Sequence, residues 1–418
     1  MECYKNIKSC RSCGNPVLEE IISLGKINVP NFSSKRRDIK IPLELVFCKK
    51  CKLLQLKQNT NPKLLWNENY GYLSGINNQM KRELKEIVKE TEKIIKLEKG
   101  DTVIDIGCND GTLLSFYKDV GINLFGFDPS SNTIKIAKEK LTRLNKNKFF
   151  LINNFFNKRQ FLEKTNKKAK IITAIAMFYD LSDPNKFLKD VYNCLDENGI
   201  FIIQQNYLGK MLEQNAIDNI VHEHLEYYSL KSLNFILDKN GFEVFDIKFN
   251  NVNGGSFRTW IRKRGSSVGG SKHLKFIESI IKKEKYLEKL ETYKSFAERA
   301  SKNLNKIKDF LKKETKKGKK IYIYGASTRG NTIISYLKLN NKLIKAAADK
   351  NPFKWGKTIS GTDIPIISED EARKEMPDYF LALPWYFKEE FIKREKDFIK
   401  KGGKFIFPLP KMEIYPRN

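Results

Sequence analysis

The chain has 418 residues and a formal net charge of +29, from 78 Lys and Arg against 49 Asp and Glu. That length points to two or three domains, and 4 Trp, 17 Tyr and 28 Phe within a 40% hydrophobic share can fill their cores. No 18-residue apolar run is present and Met1-Glu-Cys-Tyr-Lys5 carries no hydrophobic leader, so a spanning helix is excluded and a cytoplasmic protein is expected.

The lysines are spread along the whole chain and accompany heavy Asn and Ile use, which reads as a compositional bias more than as a nucleic-acid stripe. The run from Lys312 to Lys320 reads as a solvated helix end. Excess Lys still favours an anionic small substrate over a cationic one, and neither a membrane nor nucleic acid is an expected partner.

The first seventy residues lack helical periodicity. Cys10-Arg-Ser-Cys13-Gly14 and Cys48-Lys-Lys-Cys51 are two matched C-x-x-C knuckles. In a reducing compartment four such thiolates suit a closed tetrahedral Zn2+ site, structural because no ligand position stays open. An aromatic and glycine segment, Leu65 to Gly75 with Tyr70, Tyr72 and Ser74, then leads into a helix over about 77–97. It is placed to fold over a pocket.

From Thr102 to about Lys263 apolar runs alternate with helical stretches, with strands expected at 102–106, 123–128, 148–152, 171–176 and 199–205. This is the pattern of a doubly wound parallel sheet, and strands at 243–248 and 256–262 around Asn251-Val-Asn-Gly-Gly255 finish it with an antiparallel hairpin. The first strand ends in Asp105-Ile-Gly107-Cys-Asn109-Asp110-Gly111-Thr112-Leu113-Leu114 and is expected to pass straight into a helix, whose N-terminus and open N–H groups would face a cofactor. The spacing G-x-x-x-G with two acidic or amide residues in the turn favours S-adenosylmethionine over a dinucleotide, because a pyrophosphate would be repelled where a cation is tolerated. Asp128 closes the second strand where an acid can accept from both ribose hydroxyls. The expected cofactor set is Asp105, Gly107, Asn109, Asp110, Gly111, Thr112, Asp128, Asn154 and Met177.

Chemistry in such a sheet lies beyond the carboxyl ends of its strands. There the chain carries Gln204-Gln-Asn206-Tyr207 and then His222-Glu223-His224-Leu-Glu-Tyr-Tyr228, which holds two of the three histidines. An imidazole beside a carboxylate is a usual general base near neutral pH. Charged helical residues over about 272–317 lead to a third unit that begins Ile321-Tyr-Ile-Tyr324-Gly325-Ala-Ser327-Thr-Arg329-Gly330, again strand, glycine loop and helix. Ser327 and Arg329 could meet a phosphate, and Asp349 stands at a ribose-binding position. Strands are expected at about 344–348, 378–382 and 403–407.

On these residues, together with Gln55-Leu56, Tyr70-x-Tyr72-x-Ser74 and Asn253-Gly-Gly-Ser-x-Arg258, the whole chain resembles the three-part methyltransferases of nucleotide-sugar biosynthesis that C-methylate deoxysugar precursors. The resemblance implies a zinc-binding domain over 1–75, a class I S-adenosylmethionine methyltransferase domain over 76–265, and linker helices with a Rossmann-like nucleotide-sugar domain over 266–418. It implies His224 as the base with Glu223 its neighbour; His222 stands beside them in the sequence, and Tyr70, Tyr72 or Tyr228 are expected to stabilise an enolate oxygen. Tyr70, Tyr72, Asn206, Tyr228, Asn253, Arg258, Ser327, Arg329 and Asp349 are expected to bind a nucleotide-sugar substrate for glycan or polysaccharide synthesis, in a monomer or homodimer. This chain departs from the pattern at Val221, where the better known members carry tyrosine, and at Asp180, where they carry histidine. Those two changes leave O- or N-methylation open, and +29 with the knuckles leaves an RNA methyltransferase as a further alternative.

Overall fold

The computed structural model describes residues 2–30, 39–68 and 70–417. Its centre is a seven-stranded sheet in the order Phe242–Asn250, Ser256–Lys263, Leu195–Asn206, Ala169–Ile175, Thr102–Ile106, Asn123–Phe127, Lys148–Ile152. Ser256–Lys263 runs antiparallel to both of its neighbours, and the other adjacent pairs are parallel. These strands are apolar runs because both faces are covered. Helices Pro184–Cys194 and Leu230–Lys239 bury Phe187, Leu188, Val191, Leu233 and Ile236 on one face, while helix Asn78–Ile94 covers the other with Leu84, Ile87 and Val88. This is the class I methyltransferase arrangement, and it matches the expected sheet with its antiparallel finish.

One expectation fails at the first turn. Thr112 does not open a helix; only the three-residue turn Leu114–Phe116 follows. The cause is local competition for backbone groups. Asn145 donates to the carbonyls of Leu114 and Tyr117, and Asn147 accepts the Gly121 N–H while donating to the Lys118 carbonyl. These side chains tie the segment after the turn to the end of helix Ser131–Leu144 and the residues after it.

The N-terminal module is a four-stranded antiparallel sheet, and its edge strand, Glu226–Tyr227, is lent by the methyltransferase unit. The borrowed strand begins two residues after His224, so the zinc module and the His222-Glu223-His224 segment are built into one sheet edge.

The C-terminal unit carries six strands in the order Ile366–Ser368, Ala347–Asp349, Ile321–Tyr324, Tyr379–Ala382, Lys404–Phe407, Glu413–Tyr415, with the last one antiparallel. Numbered along the chain this is 3-2-1-4-5-6, the Rossmann order, whose crevice opens between the first and fourth strands. The 27-residue helix Leu290–Lys316 packs Tyr293, Phe296, Leu304, Ile307 and Leu311 into that core. Among the described residues no helix is long and apolar enough to cross a membrane.

Candidate active site and metal centre

The metal centre is set by the two knuckles. The Sγ atoms of Cys10, Cys13, Cys48 and Cys51 all lie within 4.8 Å of one another, with Cys10 to Cys51 at 3.4 Å and Cys13 to Cys48 at 3.5 Å. Zinc with thiolates at about 2.3 Å in a tetrahedron needs edges of roughly that order, so the four sulfurs fit the ion. Gly14, at φ +75°, closes the first knuckle. Gln55 donates from Nε2 to Cys10 Sγ at 3.2 Å, and the Cys10 thiol is lowered by its hydrogen bond with Cys51 and by neighbouring amides.

Buried Arg11, between the first two cysteines, donates to the carbonyls of Leu56 at 2.6 Å and Leu225 at 3.4 Å. It ties the knuckle to the residue after His224.

The cofactor cavity has a volume of about 680 Å3 and opens at the carboxyl ends of the central strands. Of the nine residues expected to meet the cofactor, Asp105, Gly107, Asn109, Asp128, Asn154 and Met177 line it. Gly107, at φ +73°, leaves space that a Cβ would take, 3.2 Å from Met177 Cγ. Asp128 accepts from the Asn109 N–H at 3.0 Å, the Ser130 N–H at 2.9 Å and Thr133 Oγ1 at 2.9 Å, which fixes its carboxylate at the strand end. Asp105 is pushed up to about 7 by burial, against a hydrogen bond from Thr173 Oγ1 at 2.6 Å. Two buried carboxylates, with no arginine on the wall among the described residues, suit a ligand that brings its own ammonium and sulfonium. That is the chemistry of S-adenosylmethionine.

Asp110, Gly111 and Thr112 do not line the cavity. Asp110 pairs with Lys140 at 2.8 Å, and it accepts from Thr112 Oγ1 at 2.6 Å and from the Gly75 N–H at 2.9 Å. These residues hold the connector instead. Asn109 Nδ2 donates to the Tyr72 carbonyl, its Oδ1 accepts the Ser74 N–H, and Asn132 donates to the Tyr70 carbonyl. From the C-terminal unit, Asn351 donates to the Gly71 carbonyl at 3.1 Å. Tyr70 and Tyr72 are thus strapped over the cavity, which both of them line.

His222 also lines the cavity; its Nε2 lies 3.2 Å from the Ile41 carbonyl, and burial lowers it to about 4. His224 and Glu223 are not among the residues that line the cavity. His224 donates from Nδ1 to the Asn219 carbonyl at 3.0 Å and lies 4.3 Å, ring to ring, from Tyr179. Burial, and then the charge of Arg329, lowers it to about 3, so the imidazole is neutral with Nε2 as its lone pair. Burial raises Glu223 to about 7. Tyr70 is raised by burial and then by the charges of Glu223 and Asp180, which puts the three within electrostatic reach of one another.

The residues expected to bind substrate separate into three groups. Tyr70 and Tyr72 reach the cavity. Asn206 donates to Asn219 Oδ1 at 2.5 Å, so it orders the loop that holds His224 and does not reach the cavity. The remaining six do not line the cavity. Tyr228 is buried and donates to Glu226 at 3.1 Å, near the cysteines. Arg258 is fully buried, bonded to Gln204 at 2.8 Å and paired with Glu83 at 2.5 Å and with Glu90, because helix Asn78–Ile94 lays those two glutamates against the sheet. Arg329 is paired with Asp218 at 2.7 Å, donates to the Asn253 carbonyl at 2.7 Å and lies over the Tyr386 ring, so it does not stand free for a phosphate. Ser327 caps the helix Thr328–Leu337 by accepting the Gly330 N–H. Asp349 accepts the Ala326 N–H at 2.8 Å and meets Lys354 at 3.2 Å, while Lys354 also donates to the Ala326 carbonyl. The glycine loop is filled from within, and Asn331 and Ser360 bond the backbone of Asn28 and Val29.

Three partners escaped the sequence reading: Asp218, Tyr179 and Tyr386. Asp218 sits in a short turn with no motif around it, and Tyr179 and Tyr386 sit in aromatic runs that read equally well as core.

Three family models tile the chain: "Putative zinc binding domain" over 10–66, "Methyltransferase domain" over 76–247 and "C-methyltransferase C-terminal domain" over 251–410. The chain is 26% identical over 415 residues to the C-methyltransferase NovU of Streptomyces niveus, covering 98% of this chain and 97% of that one. A tRNA U34 carboxymethyltransferase of Campylobacter jejuni is 28% identical over 154 residues, 35% of this chain and 50% of the relative. A solved S-adenosylmethionine-dependent methyltransferase from Aquifex aeolicus aligns with 43% of this chain and 88% of its own, at 19% identity and a TM-score of 0.34. With the cysteine cluster, the central sheet and the Rossmann-ordered third unit in place, the chain is a three-domain S-adenosylmethionine-dependent C-methyltransferase with a four-cysteine zinc-binding site.

Proposed function

We propose that the methyl acceptor is a carbon beside a ketone in a nucleotide-activated sugar, on a cytoplasmic route to a glycan. The observation that carries this reading is that Tyr70, Tyr72 and His222 line the cavity together with Met177, with Glu223 in electrostatic reach of Tyr70, an arrangement of phenols, imidazole and carboxyl group suited to making an enolate. The similarity to C-methyltransferase NovU over nearly the whole of both chains supports it.

S-adenosylmethionine, when bound, supplies an electrophilic methyl on a sulfonium. Asp105 and Asp128 would hold its cationic and hydroxyl-bearing parts, and Gly107 would let the backbone approach. His224 takes the proton from the acceptor carbon through Nε2, since Nδ1–H is committed to Asn219. Ionised Glu223 supports the imidazolium that results. Tyr70 and Tyr72 donate to the enolate oxygen and, as part of the strap, keep water away from the carbanion. Lys5 and Lys186 are the basic side chains on the cavity wall among the described residues, paired with Glu2 at 3.5 Å and with Asp190 at 2.8 Å, and a diphosphate would have to exchange with those carboxylates.

The test is formation of S-adenosylhomocysteine with keto nucleotide sugars and with the same sugars reduced to alcohols. The proposal expects turnover with the keto forms alone; equal turnover with the alcohols would remove the enolate.

A further inference from the structure

Asp180 is left unused by the chemistry above, although it lines the same cavity. It ends the short turn Phe178–Asp180, and its N–H donates to the Met177 carbonyl at 3.0 Å, so its backbone is fixed just beyond the end of strand Ala169–Ile175. One carboxyl oxygen, Oδ1, is shielded from solvent and meets no donor among the described residues.

The groups facing it come from several elements. Glu223 lies on the loop before the borrowed strand, and Glu226 is on that strand. Tyr70 comes from the connector and Tyr179 from its own turn. Both cations of this region are already engaged: Arg329 with Asp218, and Arg11 with carbonyls of the zinc module while it faces Glu226. Asp180, Glu223 and Glu226 thus lie within electrostatic reach of one another. Burial, then Glu223 and Glu226, hold Asp180 well above the ordinary carboxylate range. Tyr70 lies in the same field and is pushed upward as well.

We propose that Asp180 donates its carboxyl O–H to the acceptor oxygen that gains negative charge when the neighbouring carbon loses its proton. The inference rests on the keto-sugar reading for the identity of that oxygen. The proton from carbon goes to Nε2 of His224, while Asp180 keeps its own proton and shares it with the enolate oxygen. A neutral acid can do this where a carboxylate would repel the charge. Asp180 is then a catalytic residue of the methyl transfer.

Two variants and one spectroscopic readout test it. Asp180→Ala removes the donor and is expected to lower kcat by about 100-fold to 1,000-fold, the usual effect of losing one such donor. Asp180→Asn keeps an N–H donor and is expected to stay within about tenfold of the parent. Both should bind S-adenosylmethionine as the parent does in calorimetry. The infrared difference spectrum between the parent and Asp180→Asn, without any acceptor, should show a protonated carboxyl band at about pH 7.5. Unchanged kcat in Asp180→Ala overturns the assignment. So does an Asp180→Asn variant as inactive as Asp180→Ala, or a missing carboxyl band. Failure of the parent to turn over any keto sugar removes the substrate reading instead, and the infrared band then decides the state of Asp180 alone.

Discussion

Gln55 joins the two chemistries of this protein: its side chain donates to Cys10 Sγ at 3.2 Å, and its backbone pairs with Glu226, two residues after His224. Arg11 repeats the connection by bonding the Leu225 carbonyl. The metal module is therefore a wall of the active site, although its ion has no free coordination position.

Stripping the zinc should consequently cost more than local order. Chelation, or Cys51→Ser, is expected to lower the melting temperature by several degrees and turnover by more than about tenfold. Affinity for S-adenosylmethionine should change by less than about threefold, because Asp128 and Gly107 hang from the central sheet. Metal content, thermal melts and calorimetry on one preparation check this. Full turnover in the zinc-free protein would show that the borrowed strand holds its place without the ion.

Asp128 concentrates three hydrogen bonds at one strand end. Asp128→Ala is expected to raise the Kd for S-adenosylmethionine by about 10- to 100-fold, on the scale of losing a hydrogen-bonded charge. Asp110→Ala should act differently. Its carboxylate holds Gly75 and Lys140 and lies outside the cavity, so the loss should appear in kcat, through a loosened Tyr70–Tyr72 strap, with Kd nearly unchanged.

The pH profile separates His224 from Glu223. His224, lowered to about 3, is already neutral near pH 7 and gives no limb there. Glu223, raised to about 7, is protonated below that value and ionised above it. If ionised Glu223 supports the imidazolium, kcat rises as pH increases through about 7 and then levels. Glu223→Gln should abolish that rise and leave a low, flat profile; a parent profile that falls through the same range would mean that Glu223 works as an acid.

Arg329 gives a prediction about stability. Its pair with Asp218 is buried and bridges the third unit to the loop before His224. Removing the arginine leaves an uncompensated buried carboxylate, so Arg329→Leu should destabilise the fold by about 3 to 5 kcal/mol. Arg329→Leu with Asp218→Leu should recover most of that loss in denaturant melts. A phosphate-binding role would instead leave stability unchanged and raise KM.

How much of this was legible beforehand depends on how local the signal is. The apolar strands of the central sheet, the paired cysteines and Asp128 follow from neighbouring residues, and each lies where the sequence places it. The missing helix after Gly111 does not, because Asn145 and Asn147 reach it from beyond the second strand and the helix that follows. Arg258 misleads for the same reason: a conspicuous arginine near Gly254-Gly255 reads as a ligand contact until helix Asn78–Ile94 lays Glu83 and Glu90 against it. A hint was present, since two glutamates seven residues apart on one helix share a face with Leu84, Ile87 and Val88. Asp349 illustrates a different limit. The sequence puts an acid at the end of a Rossmann strand, but only the fold shows that Lys354 and the Ala326 amide already use it.

The most direct test of the account is the bond formed by the transferred carbon. With S-adenosylmethionine labelled with 13C in its methyl group and a keto nucleotide sugar as acceptor, NMR of the product should show the labelled methyl bonded to a ring carbon adjacent to the carbonyl. A labelled methyl on oxygen or nitrogen would contradict the enolate mechanism and the roles given to His224 and Asp180.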